Sequence, residues 1–357
     1  MSASFTALAL ADQAFPDTRA FYSFEFRQIF ILGLMLVATG TVLRVSRCPI
    51  YLRGVPVWLF MAAAALTLDL WVANAGFHAV TDPALLAYKP ELVQWLQQQP
   101  GTWRITTFAP HGDKPFNANA GWLYDLQDVR GYDSIIPKQY ADYMAAIEPQ
   151  NELQYNRIQP IVNWESLNSP LLDVLNVKYI ITAETIDLPK LRLAWEGDGL
   201  RVYENLAAAP RAYTLPLDAA VTVDDALAAL TTYDPRQFVV MNVADCVVCS
   251  ERGVSGFTTP MPGQYVAATI SGYTNREVVV ETAVSTTTWL ILNDSYFPGW
   301  RAYARPAGGT EADEIELPIN RVNGNFRGVL LSEGSGSCAS VTARQASSWA
   351  GCSASWA

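Results

Sequence analysis

Histidine, cysteine and positive charge are all scarce in this chain, and each scarcity removes a class of function. The 357 residues hold 24 Lys and Arg against 34 Asp and Glu, a formal net charge of −10, with the acidic excess downstream of residue 73. A chain so charged has no electrostatic footprint for nucleic acid, and none is expected as a partner. The two histidines are His78 and His111, and the five cysteines are Cys48, Cys246, Cys249, Cys338 and Cys352. Cys246-Val-Val-Cys249 would need two further ligands to hold zinc, and no second cysteine pair has the required spacing. It reads as a local disulfide or as two small buried thiols. His111-Gly-Asp113 is half of a metal or acid/base site without a third member, and reads as a turn. There is no G-x-S-x-G elbow, H-E-x-x-H, Walker loop or D-x-D, and no internal repeat. No metal or cofactor is expected. Met1–Leu10 lacks the basic start of a signal peptide.

What the sequence has instead is apolar length. Gln28–Leu43 carries no charge, Arg44, Arg47 and Arg53 follow, and a second apolar run, Gly54–Phe77, is broken by Asp69 alone. A bilayer core takes about 20 mostly apolar helical residues. The second run is long enough, and the first becomes so when Phe26 and Val45 are added. No polar stripe runs along either, which argues against buried helices of a soluble protein. Residues 28–78 are therefore expected to form a transmembrane hairpin, its arginine-rich turn in the cytoplasm. Residues 1–27 and everything after 78 then lie outside the cell membrane. An N-terminal segment that starts outside with no leader implies further helices upstream.

Beyond the hairpin, residues 79–250 alternate helix and strand. Pro90 opens a short helix with Leu92, Trp95 and Leu96 on one face, which Pro100-Gly101 stops; Trp103–Phe108 is strand-like, and Lys138–Glu148 is helical. Ser169 and Pro170 open a short helix that Asn176 closes, before a strand over Val177–Thr182. A capped helix is expected over Thr222–Leu230, followed by a strand over Phe238–Met241. From Glu251 the pattern is strands alone, among them Glu277–Val284, Trp289–Asn293 and Phe326–Leu331. The expected fold class is a membrane-anchored α+β protein: a two-helix transmembrane hairpin, an extracytoplasmic α/β domain over 79–250 and a small β-sandwich over 251–334. The tail, 335–357, shows no strand or helix period. A reading frame shifted from Ser337 onward is compatible with VRFRYSPASFVVGGLFSFVG, an alternating strand, a Ser-Pro break and the start of an apolar helix. A frameshift product is therefore expected there, the proper chain re-entering the membrane.

Within 79–250 the loop 117–133 interleaves Trp122, Tyr124 and Tyr132 with Asn117, Asn119, Asp125, Asp128 and Asp133. Aromatic faces among carboxylates suit a sugar, whose ring stacks and whose hydroxyls donate. The same residues also suit turns, with Gly131 giving backbone freedom and the aspartates capping. Asp69 is a second candidate, lining a route for a lipid-linked donor or reaching the outer interface beside Trp71 and Asn74. Asp294–Trp300, with Tyr-Phe-Pro-Gly-Trp between strands, suits a sandwich corner or a carbohydrate-binding edge.

Six segments in order resemble a known family. They are Asn117-Ala-Asn-Ala-Gly-Trp-Leu-Tyr-Asp125, Asp128-Val-Arg-Gly-Tyr-Asp133, Leu175-Asn-Val-Lys-Tyr-Ile-Ile-Thr182, Arg201-Val-Tyr-Glu-Asn205, Pro210-Arg211-Ala212 and Asn293-Asp-Ser-Tyr-Phe-Pro-Gly-Trp300. Together they look like the extracytoplasmic C-terminal region of bacterial YfhO-like membrane proteins. These are polytopic and similar to GT-C glycosyltransferases, so the resemblance implies sugar transfer from polyprenyl-phosphate donors onto cell-envelope polymers. It also implies a catalytic acid in a first outer loop, and nothing before Gln28 matches one. The expectation is a C-terminal part, inactive alone, whose outer domains hold a glycan acceptor. The alternative is a non-enzymatic membrane-tethered glycan-binding or assembly module.

Overall fold

The computed structural model describes residues 15, 17–75, 82–252, 256–306, 309–332 and 339–345. The N-terminal residues 1–14, the expected hairpin end at 78 and the tail residues 335–338 and 346–357 lie outside them. The chain divides into two compact units, Met1–Tyr88 and Lys89–Ala357.

In the first unit, helix α1 spans Thr18–Val45 and is capped by Asp17, whose carboxylate accepts from Ala20 N at 2.7 Å. The expected boundary at 27/28 therefore falls inside a continuous helix, because nothing between Thr18 and Arg27 breaks it. Strands β1 (Tyr51–Leu52) and β2 (Val55–Pro56) form a two-residue hairpin. Its central residues, Arg53 and Gly54, have φ of 50° and 82°, the positive pair that such a turn demands. Helix α2 spans Val57–Asn74 and packs on α1. Both helices are long and apolar enough to cross a membrane, and their most apolar stretches are unburied.

The second unit begins with α3 (Glu91–Gln97), which buries Leu92, Val93 and Leu96. Strand β3 (Arg104–Thr107) leads to the one-turn helix α4 (Ala120–Leu123) and to α5 (Lys138–Ile147). Helix α6 (Pro170–Val174) has Ser169 Oγ accepting from Leu171 N, and Asn176 closes it at φ 64°. Next come β4 (Val177–Thr182), β5 (Leu191–Gly197) and β6 (Leu200–Asn205), which with β3 make a four-stranded sheet in the order β3-β4-β6-β5. Only the β3/β4 pairing in it is parallel.

Two five-stranded sheets follow, built from β7 (Ala212–Pro216), β10 (Val266–Ala267), β11 (Thr269–Tyr273), β12 (Glu277–Thr282), β13 (Thr288–Ser295), β14 (Trp300–Pro306), β15 (Ile315–Leu317), β16 (Ile319–Val322), β17 (Phe326–Leu331) and β18 (Ala339–Gln345). Their orders are β10-β7-β13-β17-β16 and β11-β12-β18-β14-β15. Between β7 and β10, strands β8 (Ala220–Val223) and β9 (Val239–Asn242) pair in parallel, with α7 (Ala226–Ala229) between them and α8 (Val247–Arg252) after. The helix expected from Thr222 thus begins at Ala226 with Asp225 as its cap. The β-branched run Val221-Thr222-Val223 goes to strand, where stiff χ1 rotamers pack well.

The division expected at 250 is crossed by the sheet centred on β13. That strand is apolar on both faces: Trp289 and Ile291 enter the large core with Tyr143 and Val240, while Leu290 and Leu292 meet Val280, Ala302 and Val341 of the facing sheet. A sheet buried on both sides is a middle layer, and it binds residues on either side of 250 into one body. Two of the ten strands, β7 and β18, come from outside 251–334. In the tail, β18 lies between β12 and β14. Val341 and Ala343 point into the core while Arg344 meets Glu277 at 2.8 Å and Glu314 at 3.1 Å. Residues 339–345 therefore do carry a strand period, one written in small apolar side chains.

Candidate functional site

The loop 117–133 is folded by its own polar side chains. Asn119, at φ 65°, donates from Nδ2 to Tyr132 O at 2.7 Å, and its Oδ1 accepts from Tyr132 N at 2.9 Å. That clamp ties the two halves of the loop together. Gly121 makes the close approach: a Cβ there would stand 2.6 Å from Leu126 O, so no larger residue fits. Gly131 is not left-handed, so the backbone freedom expected of it is not used.

The three carboxylates of the loop separate by environment. Asp128 accepts from Arg130 N at 2.8 Å, Nε at 3.1 Å and Nη2 at 2.6 Å, and its side chain is 3% exposed. Burial pushes its carboxyl up, and Arg130 offsets part of that. Arg130 in turn donates to Phe116 O at 3.2 Å. Asp128 is therefore an internal strut, buried and committed to Arg130. Asp133 accepts from Ile135 N at 3.1 Å in a turn, and Asp125 sits at φ 57°, a conformation aspartate tolerates. Trp122 projects from α4 at 80% exposure. Asp69 is exposed on α2, in the other unit.

The remaining candidates line two clefts of about 530 Å³ each. The first is walled by Thr107, Asp113, Phe116, Asn117, Arg130, Tyr132 and Arg157, with Lys114 and Pro160 also at its edge. The end of β3 supplies Thr107, and the left-handed Gly112 (φ 77°) turns the chain so that Asp113 enters. Three of its polar atoms are buried without a hydrogen-bond partner: Thr107 Oγ1, Asp113 Oδ1 and Arg157 Nε. Tyr132, 59% exposed, offers its ring at the rim. Sequence reasoning passed over Thr107 and Arg157 and read Asp113 as a turn; no local pattern joins three residues so far apart. His111, paired with Asp113 in that motif, is exposed and its Nε2 stands 3.8 Å from Glu184 Oε1.

The second cleft is walled by Gln97, Gln99, Trp103, Tyr124, Asp125, Gln127 and Tyr273. Behind Gln127 and Tyr273 lies a buried arginine cluster. Arg104 donates from Nη1 to Asn293 O at 2.7 Å and from Nη2 to Asp294 Oδ1 at 3.0 Å. Arg211 Nε is 3.0 Å from the same carboxylate oxygen, and its Nη2 donates to Gln127 Oε1 at 2.5 Å and Tyr273 OH at 2.9 Å. Arg327 stacks 3.8 Å over Trp300 and donates to Ser295 O at 3.0 Å. Burial lowers Arg104 to about 10, with Arg211 adding to the effect. The cluster holds β3, β7, β11, β13 and β17 together. It was visible in the sequence only as Pro210-Arg211 and Asn293-Asp294, charged residues set beside apolar strands. Comparison of the chain with protein-family models, with curated proteins and with solved structures finds no significant match.

Proposed function

We propose that the chain is the C-terminal part of a multi-pass cell-membrane protein of the YfhO-like, GT-C-related kind, whose outer unit holds a cell-envelope glycan. One observation carries this: the first cleft offers a buried donor (Arg157 Nε), a buried acceptor (Asp113 Oδ1) and a buried hydroxyl (Thr107 Oγ1), all unpartnered, beneath an exposed tyrosine ring. Buried polar groups are ordinarily paired, and leaving one bare costs about 1–3 kcal/mol. A polyhydroxy ligand supplies both donors and acceptors, and its ring face suits Tyr132. Asp113 is the one carboxylate among the described lining residues, so this cleft lacks an acid/base pair and suits holding an acceptor. Sugar transfer from a polyprenyl-phosphate donor belongs, in this proposal, to helices upstream.

Three features support the membrane placement. The unburied apolar faces of α1 and α2 match a lipid setting. Arg44, Arg47 and Arg53 fall at the turn between them, which supports a cytoplasmic turn. The Cys246–Cys249 disulfide suits an oxidising compartment outside it.

The test is ligand-observed NMR on the detergent-solubilised full chain with envelope glycan fragments. Binding in the millimolar range or tighter is expected. Tyr132→Ala should weaken it about tenfold, the loss of one stacked face, with an unchanged melting temperature because the ring is exposed. A folded chain with no glycan signal, or a Tyr132→Ala variant that binds as the parent does, overturns the proposal.

A further inference from the structure

The second cleft differs from the first in the sign of what it leaves unpaired. Its own orphan is a donor, Trp103 Nε1, buried without a partner. Immediately behind its wall, Arg211 Nη1 is a second buried donor without a partner, in a side chain 3% exposed. Arg327 Nη1 is a third. Charge repeats the imbalance, since Arg104, Arg211 and Arg327 all act on Asp294. Three guanidinium groups thus share one carboxylate in a place where water screens little. Tyr140 and Tyr143 are held neutral nearby by burial and add no charge. Asp125 lines the cleft as well, exposed.

We infer that the second cleft binds an anionic group, a carboxylate or phosphate, which enters past Gln127 and Tyr273 and completes the coordination of Arg211. An anion is all acceptor, matching the donors nearest the cleft, Trp103 Nε1 and Arg211 Nη1, and guanidinium groups pair with carboxylate and phosphate better than with neutral oxygen. Gln127 Oε1 and the Tyr273 hydroxyl are the neutral acceptors occupying Arg211 Nη2, and they are also cleft wall. The anion would therefore meet Arg211 where a side-chain amide now stands. Glycan binding in the first cleft is a separate matter, and neither site depends on the other.

Gln127 gives a test with opposite signs. Gln127→Glu places a carboxylate on Arg211 from within and repels an incoming anion; Gln127→Ala opens the wall and leaves Arg211 uncovered. The full chain is titrated with inorganic phosphate and with glucuronate, against glucose as the neutral control, by calorimetry at low ionic strength. One or both anions should bind at least tenfold more tightly than glucose. Gln127→Glu should lose that preference by tenfold or more without a fall in melting temperature, while Gln127→Ala should bind the anions as tightly as the parent or more so. Anions no tighter than glucose, equal losses in both variants, or a loss seen in Tyr132→Ala in place of Gln127→Glu would each overturn the inference. Phosphate binding without glucuronate, or the reverse, upholds it and identifies which anion the cleft accepts.

Discussion

Replacing Asp294 by Asn removes the carboxylate on which Arg104 and Arg211 converge, each at 3.0 Å, and to which the Tyr273 hydroxyl donates at 3.1 Å. Breaking a buried pair from one side costs about 3–5 kcal/mol, because the other charge stays buried. An amide oxygen preserves part of the hydrogen bonding, which sets the expectation at the lower end, about 3 kcal/mol. For a unit this large each kcal/mol shifts the midpoint by about 2–3 °C, so Asp294→Asn should melt about 6–9 °C below the parent. The pH dependence sharpens the test. Burial opposes ionisation of Asp294, and Arg211, then Arg104, more than offset it, holding the carboxyl below the usual range. A depressed folded value contributes stability that is fully present above the unfolded value of about 3.9 and is lost as pH falls through the folded one. The gap between parent and variant should therefore be flat from neutral pH down to about 5 and close below about 4. Differential scanning fluorimetry of the purified chain measures both. A midpoint within 2 °C of the parent at pH 7 would refute the view that this carboxylate anchors the cluster.

Asp173, 1% exposed, receives Lys190 Nζ at 2.7 Å, Arg236 Nη1 at 3.1 Å and Asn205 Nδ2 at 2.8 Å. Asp173→Ala should cost about 3–5 kcal/mol in denaturant unfolding, and a loss under 1 kcal/mol would contradict its role. Cys246–Cys249 closes a loop of very few residues, so replacing both cysteines by Ala should cost about 2 kcal/mol, read as a lower urea midpoint at constant slope. Single-cysteine chains should show opposite labelling by an impermeant maleimide in intact cells: native Cys48 spared, an exposed Ser134→Cys modified. The reverse would overturn the orientation.

What could be read from the sequence was what is written locally. Ser169, Pro170 and Asn176 bracket α6 because a cap, a fixed φ and a left-handed exit act within one turn. Phe326–Leu331 was legible end to end as a strand, a short β-rich run that the fold buries throughout. What failed was long-range. Nothing in Ala-Tyr-Thr-Leu-Pro over 212–216 says that it pairs with Thr288–Leu292, and that pairing is what removes the boundary at 250. The tail misled for a different reason: Val341 and Ala343 are too small to look like an alternating face until β12 and β14 enclose them.

The loop 117–133 shows why composition found the right neighbourhood and misassigned most of its members. Aromatics and carboxylates serve both a sugar and a turn, and the choice depends on whether a cation or a backbone amide reaches each carboxylate first. Arg130, two residues from Asp128, takes that carboxylate whole; the backbone takes part of Asp133. Tyr124 and Asp125 line one cleft and Tyr132 lines the other. Each cleft then takes its chemistry from residues distant in sequence: Thr107, Asp113 and Arg157 in one, Trp103 and the arginines behind Gln127 in the other. Mixed orphans in the first call for hydroxyls, and donor orphans in the second call for an anion. The proposed ligand-binding role of this unit therefore rests on pairing that only the fold creates, and the chemical class proposed for each ligand follows from the sign of the atoms left without partners.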